Sequence, residues 1–145
     1  MKNETVYWQT DITFPPFKRG FHFITQSIVD ELYQCPKIQI GLLNIFIQHT
    51  SASLTLSENT CQEVKTDLES TLNRLVPDDS SLYLHTIEGE DDMPAHVKNT
   101  LLGSSLTLPI RAHALVLGQW QGIFLCEHRN QASSRTLTLT AQGSI

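Results

Sequence analysis

The segment Tyr83-Leu84-His85-Thr86-Ile87-Glu88-Gly89-Glu90-Asp91-Asp92-Met93-Pro94-Ala95-His96 gathers carboxylates and imidazoles in one short stretch. A helix beginning at Asp92 or Met93 puts Asp92 and His96 one turn apart on one face, where a carboxylate and an imidazole can share a metal ion or a proton. His85, at the end of the preceding extended segment, can reach the same point. Two neutral imidazoles with a carboxylate oxygen suit Zn²⁺ or a similar divalent ion, whereas carboxylates alone suit Mg²⁺. The plainer reading is a solvated acidic loop in which Asp92 caps a helix and His96 is exposed.

Three further groups can carry chemistry. His49 follows an apolar run and precedes the hydroxyls of Thr50, Ser51 and Ser53, so an imidazole and alcohols stand together at a strand end, where sites are often built. The same residues also make ordinary turns. Gly118-Gln119-Trp120-Gln121-Gly122 offers Trp120 as the apolar wall of a pocket and Gln121 as a hydrogen-bonding group for a heteroaromatic ligand, or a hairpin with a core tryptophan. Glu127 shares its side of a strand with Ile123 and Leu125, so its carboxylate points where a core residue would and is costly unless paired. Arg135 is the candidate partner; with Arg129, Ser133 and Ser134 it is equally a phosphate holder. Cys126, on the opposite face, reads as a small buried hydrophobe. No P-loop, dinucleotide fingerprint or nucleophile elbow occurs.

The elements that position these residues follow from periodicity. Strands are expected at Val6–Ile12, Phe21–Ile24, Ile38–Gln48, Ser105–Pro109, Ala114–Leu117, Gly122–Glu127 and Arg135–Ala141. The run Ile38–Gln48 is apolar enough to be a central strand buried on both faces. Thr25 is expected to cap a helix over Gln26–Gln34 that Pro36 ends. In Thr60–Leu75 the residues Val64, Leu68, Leu72 and Leu75 form a helical stripe, and a helix over Met93–Leu102 is framed by Asp91-Asp92 and Gly103. In the last strand Leu137, Leu139 and Ala141 alternate with Thr136, Thr138 and Thr140, as in a sheet with one face toward solvent or a subunit. The expected class is α+β: one compact domain, largely antiparallel sheets and two or three helices.

Composition narrows the partners. The 145 residues are 40% hydrophobic and only 17% charged, so the chain folds rather than staying disordered. A net charge of −5 supplies no broad positive surface, which argues against nucleic acid. No stretch approaches the roughly 18 uncharged apolar residues of a membrane span. The three cysteines, Cys35, Cys61 and Cys126, are an odd set without a C-x-x-C pair, which fits a reducing cytoplasm and argues against both a disulfide framework and a structural zinc ribbon. A small molecule is the expected partner.

In chain order, His49-Thr50-Ser51-Ala52-Ser53-Leu54, Ser57-Glu58-Asn59, Val64 and Asp67, His85, Asp91-Asp92-Met93-Pro94-Ala95-His96-Val97-Lys98, Leu117-Gly118-Gln119-Trp120-Gln121-Gly122-Ile123, Glu127 and Arg135 resemble the motifs of the YjbQ-like family, also called the secondary thiamine-phosphate synthase family. The resemblance runs from about Phe21 onward. It implies a small α+β domain that assembles as a homotrimer with histidine-rich clefts near subunit boundaries. It also implies a thiamine-phosphate synthase activity, joining a pyrimidine pyrophosphate to a thiazole phosphate, as a role secondary to another substrate. It adds Asp67 to the catalytic candidates His49, His85, Asp92, His96 and Glu127. His128, His113 and Gln119 depart from the pattern, standing where an apolar or aromatic residue, a glycine and a small hydroxyl are expected.

In such a coupling a resonance-stabilised cation forms as pyrophosphate leaves, so the charge on the leaving group is the main demand. A divalent ion on His85, Asp92 and His96, with Glu127 as an additional ligand, would meet it together with phosphate donors. Thr50, Ser51, Ser53, His49 and Arg135 are the expected phosphate holders, and Trp120 and Gln121 the ring pocket. Because His49 and Arg135 sit at element ends, they are expected to bind phosphate rather than to support folding. The rivals are a metal-assisted hydrolase of a phosphorylated small molecule and a protein that binds a metabolite or metal without turnover.

Overall fold

In a computed structural model describing residues 4–145, β1 (Thr5–Phe14) and β2 (Gly20–Phe23) lead into α1 (Thr25–Leu32), then β3 (Ile40–Ile47) and β4 (Ala52–Glu58). Next come α2 (Gln62–Leu75), one 3-10 turn (Ser80–Leu82) and α3 (Asp92–Leu102). The chain ends in β5 (Ser105–Arg111), β6 (Ala114–Leu115), β7 (Gln121–Glu127) and β8 (Arg135–Ser144). All pairings are antiparallel, in a five-stranded sheet ordered β1-β8-β3-β5-β6 and a three-stranded sheet ordered β2-β7-β4. No described helix is long and apolar enough to cross a membrane.

Period-two alternation decides how the layers meet. Leu137, Leu139 and Ala141 of β8 are fully buried, and Thr136, Thr138 and Thr140 face outward. The inward set packs with Leu43, Ile45 and Ile47 of β3 against Leu54 of β4 and Ile123 and Leu125 of β7, and α1 closes the gap with Ile28 and Leu32. On the other side of the small sheet, Phe21, Phe124 and Cys126 meet Leu68 and Leu72 of α2 and Leu102 of α3. The result is an α+β domain in three layers: large sheet, small sheet, helices.

Three expectations change. Burial on both faces belongs to β7, which lies between the large sheet and the helices, and not to β3. β3 is central in its sheet, but Ile40, Leu42 and Phe46 lie on its open face and are exposed. The segment after Ser51 is a strand, β4, whose Leu54 and Leu56 alternate with hydroxyl residues that also suit turns. Thr25 does not cap α1: Ile24 is the cap residue, and the Thr25 hydroxyl accepts the Ile123 N–H at 2.9 Å, bridging the helix to β7.

The unusual His113 has a clear local role. Ala112 and His113 form the two-residue link between β5 and β6 and both hold positive φ, 49° and 61°. Such a turn favours Asn or Gly. Here the His113 N–H donates to the Ile38 carbonyl at 2.7 Å, and its Nδ1 accepts the Ile38 N–H at 3.3 Å, which offsets the strain. Near the same end of β3, Gly41 and Gly143 lie opposite each other in β3 and β8. A Cβ at Gly143 would fall 2.3 Å from the Ile40 carbonyl oxygen, so backbone must move to admit it. Gly143→Ala is therefore expected to lower stability by about 1–3 kcal/mol. Urea denaturation with an unchanged midpoint would refute that close approach.

Candidate functional site

α3 begins where the sequence places it, and its first turn carries the chemistry. Asp92 lies at the helix start with its side chain only 5% exposed, and His96 sits one turn on. Asp92 Oδ2 is 3.1 Å from His96 Nε2 and 2.9 Å from His85 Nε2. One ligand atom from each of the three residues falls within 4.8 Å of the other two. The His85 side chain is 48% exposed, so the cluster opens to solvent on that side.

Outer contacts fix this arrangement. His96 Nδ1 lies 2.8 Å from the Thr50 carbonyl oxygen, which can only accept, so Nδ1 carries the proton. A neutral His96 then turns a bare Nε2 lone pair toward the Asp92 carboxylate. That contact is repulsive unless a proton or a cation lies between them. Arg129 holds the other Asp92 oxygen, Oδ1, through Nη1; its Nε donates to Asp91 Oδ2 at 3.1 Å and its Nη2 to the Glu88 carbonyl at 3.0 Å. Burial by itself raises the Asp91 pKa, but the Asn130 N–H and Arg129 outweigh it and hold the group below its ordinary value. Local spacing does not pair Arg129 with Asp91 and Asp92, since the partners lie far apart in the chain. Asn99 of α3 donates to the Ala52 carbonyl at 2.7 Å, which seats the helix on the start of β4.

Behind this cluster lies a buried ion pair. Arg135 Nε donates to Glu127 Oε1 at 2.7 Å and Nη2 to Oε2 at 2.6 Å; Nη2 also reaches Ser51 Oγ at 3.0 Å. Arg135 is 3% exposed and Glu127 0%. The Arg129 N–H is a further donor to Glu127 Oε2, at 3.2 Å. Both carboxylate oxygens of Glu127 are thus engaged away from solvent, which removes it as a metal ligand or proton carrier. Arg135, expected to bind phosphate without supporting the fold, is half of the pair that joins the two sheets.

Other candidates are also tied into the scaffold. His49 Nε2 accepts the Thr136 N–H at 2.9 Å, and burial, with Arg135 nearby, holds its pKa below the ordinary value. Its imidazole therefore anchors the start of β8. Ser53 is fully buried, with its hydroxyl 2.7 Å from His128 Nε2, and is out of reach of a substrate. Thr50 is exposed beside His96, and Ser51 is held by Arg135. Asp67 is exposed on α2 and does not join the cluster. Trp120 and Gln121 stand at the first end of β7 and Glu127 at the last, about 20 Å away at strand spacing, so they line no common pocket with His85 in one chain.

The domain is thus a small two-sheet α+β protein with a His-Asp-His cluster at the head of its last helix, clamped by an arginine. That order of elements and residues has relatives. The chain belongs to the UPF0047 protein YjbQ-like family, whose model matches residues 10–144. It is 45% identical over 138 residues to UPF0047 protein YjbQ of Escherichia coli O157:H7, covering 95% of this chain and 99% of that one. It is also 32% identical over 99 residues to UPF0047 protein YugU of Bacillus subtilis, covering 68% of this chain and 73% of that one. Among solved structures, a YbjQ-like protein of Sulfolobus solfataricus P2 superposes with a TM-score of 0.87 at 24% identity, covering 97% and 99% of the two chains. A conserved hypothetical protein of Thermus thermophilus gives a TM-score of 0.77 at 30% identity, covering 90% and 97%. Family membership fixes the fold and leaves the chemistry to be read from the site.

Two outcomes follow. Arg135→Ala strands the Glu127 carboxylate in the core and is expected to cost about 3–5 kcal/mol, seen as a large drop in melting temperature. A variant melting like the parent would show that Glu127 finds another partner. His128, 1% exposed, has its pKa lowered to about 3 by burial first and then by Lys98, so it is neutral in the folded protein. In the unfolded chain it takes up a proton below about pH 6.5. Its contribution to stability is therefore complete above that value and lost as pH falls toward the folded pKa. Denaturation midpoints of His128→Gln are expected to fall less steeply than the parent's across this acid range; parallel slopes would place the acid sensitivity elsewhere.

Proposed function

We propose that the protein is an enzyme acting on a phosphorylated small molecule at a divalent-cation centre formed by His85, Asp92 and His96. The Nε2 lone pair of His96, aimed at the Asp92 carboxylate while Nδ1 is spent on Thr50, carries this reading. Ligands about 2.1 Å from a tetrahedral cation stand about 3.4 Å apart, so separations of 2.9 and 3.1 Å need only a small opening of the cluster. Arg129 positions Asp92, and the Thr50 carbonyl fixes the His96 ring. When bound, the cation would offset negative charge on phosphate oxygens, and the exposed His85 side would admit the substrate.

The finer reading, supported by the resemblance, is the joining of a pyrimidine pyrophosphate to a thiazole phosphate. The rival is a hydrolase of a phosphate ester, which uses the same three residues with water as nucleophile. A coupled thiamine-type product supports the first, and release of phosphate or pyrophosphate alone supports the second. Tight binding of substrate and metal with no turnover would leave a binding protein. For the cation, the test is calorimetric titration of chelator-stripped protein with Zn²⁺ and Mg²⁺. The His85→Ala/His96→Ala variant is expected to bind roughly a hundredfold or more weakly. Equal uptake by parent and variant would overturn the assignment.

We propose in addition a homotrimer, the number coming from the resemblance. Ile40, Leu42 and Phe46 on the outer face of the large sheet, and Leu84 and Ile87 beside His85, are apolar and exposed, as surfaces meeting another subunit are. Trp120 and Gln121 would then enter a ring pocket only from a neighbouring subunit. Light scattering should give three times the mass of the chain, and the mass of a single chain would end this reading.

A further inference from the structure

Two exposed surfaces at opposite ends of the molecule match each other. The first is the loop before α3. Leu84 is fully exposed and Ile87 nearly so, more than any other large apolar side chain among the described residues. Their backbone is pinned: the Gly89 N–H donates to the Thr86 carbonyl at 3.3 Å with Gly89 at φ 112°, and Arg129 Nη2 donates to the Glu88 carbonyl at 3.0 Å. Apolar tips held in water by a fixed backbone mark a contact surface.

The second is an apolar groove of about 580 Å³ where β3, β5 and the segment after β6 meet. In the β3–β5 ladder Ile40 stands opposite Arg111 and Leu42 opposite Pro109, so alternation puts all four on the outer face of the large sheet, and Val116 adds to the wall. Ile40 and Leu42 are exposed. Arg111 is also exposed and forms no ion pair among the described residues, and the Glu88 carboxylate of the loop forms none either. Each surface thus sets apolar side chains beside one unpaired charge, and the two charges are opposite in sign.

A chain cannot join its own two surfaces. Arg129 ties the loop to Glu127 and so to Arg135, the first residue of β8, whereas Ile40 of the groove pairs with Ser144 at the far end of that strand. Nine strand steps separate the two ends, about 30 Å. Copies of the chain therefore meet head to tail, the arrangement that a closed ring requires.

We infer that the loop of one copy seats in the groove of a second copy, with Leu84 and Ile87 against Ile40, Leu42 and Val116, and Glu88 on Arg111. This rests on the assembly proposed above and names its contact. It also bears on the site. Leu84 and Ile87 flank His85, so the seated copy stands over the side on which the cluster opens to solvent. Trp120 of the second copy comes with it, since it follows Val116 by four residues, at most about 14 Å of chain.

Light scattering of the full chain over a dilution series tests this, with melting curves as the control for folding. The parent should assemble. Glu88→Arg and Arg111→Glu each bring like charges together and should weaken assembly at least about tenfold. Glu88→Arg/Arg111→Glu, which restores opposite charges in every contact, should recover it. Leu84→Asp/Ile87→Asp should run as a single chain; all four positions are exposed, so none of these changes opens the core. An assembled parent with a loop variant that assembles equally, single charge variants without effect, or no recovery in the double charge variant would overturn the loop-in-groove contact and leave the trimer standing. A parent of single-chain mass would overturn both.

Discussion

A carboxylate and a guanidinium meet in the gap between two sheets, and the geometry of this end of the molecule depends on them. Glu127 is the last residue of β7 and Arg135 the first of β8, so their double hydrogen bond joins the small sheet to the large one at the point where the chain crosses over. Removing two charges from water is expensive, and the pair is tolerable because nearly every polar atom has a partner: Ser51 on Arg135, the Arg129 N–H on Glu127. Each partner is thereby positioned in turn. Ser51 precedes β4, the residue after it is held by Asn99 of α3, and Arg129 leaves the pair to clamp Asp91 and Asp92. The histidine cluster is built outward from a salt bridge that it never touches.

Much of this was readable from local pattern. Alternation in β8 separates Leu137, Leu139 and Ala141 from the threonines, and in β7 it puts Glu127 on the side of Ile123 and Leu125, which is why Arg135 could be named as its partner. Helical spacing likewise joins Asp92 to His96. What pattern reports is which residues share a face; it does not report what stands opposite. The role of Arg135 is hidden from pattern for that reason, since a strand's first residue looks peripheral until the other sheet is seen to end against it. Ser53 fails similarly: a hydroxyl invites a substrate, yet the pairing of β4 with β7 brings it against the ring of His128, just past the end of β7, in the interior. Trp120 carries the same lesson in reverse, because a strand that unites two motifs in sequence also holds them at its opposite ends.

The three residues that the resemblance marks as departures are absorbed by the scaffold rather than by the cluster. His113 accommodates a left-handed turn that glycine would take without strain, using its own ring as acceptor for the Ile38 N–H. His128 fills a buried position with a polar ring, satisfied at Nε2 by Ser53 but unpartnered at Nδ1. Gln119 sits in the turn beside Trp120, where its carbonyl accepts from Asn59 at 3.1 Å. None of the three hydrogen-bonds to His85, Asp92 or His96.

The division of labour on Asp92 bears on which cation the proposed centre would prefer. One of its oxygens is taken by Arg129 and the other faces two imidazoles, so the carboxylate gives a cation a single oxygen whose charge the guanidinium has already partly offset. Mg²⁺ relies on anionic oxygen and on an octahedral shell, and gains little from nitrogen. Zn²⁺ accepts two nitrogens and one oxygen in a tetrahedral set, and held by these residues it would keep one position for water or substrate. At the proposed centre Arg129 would therefore do more than hold Asp92 in place: by drawing charge from the one hard ligand, it would shift the balance toward the ion that two histidines favour.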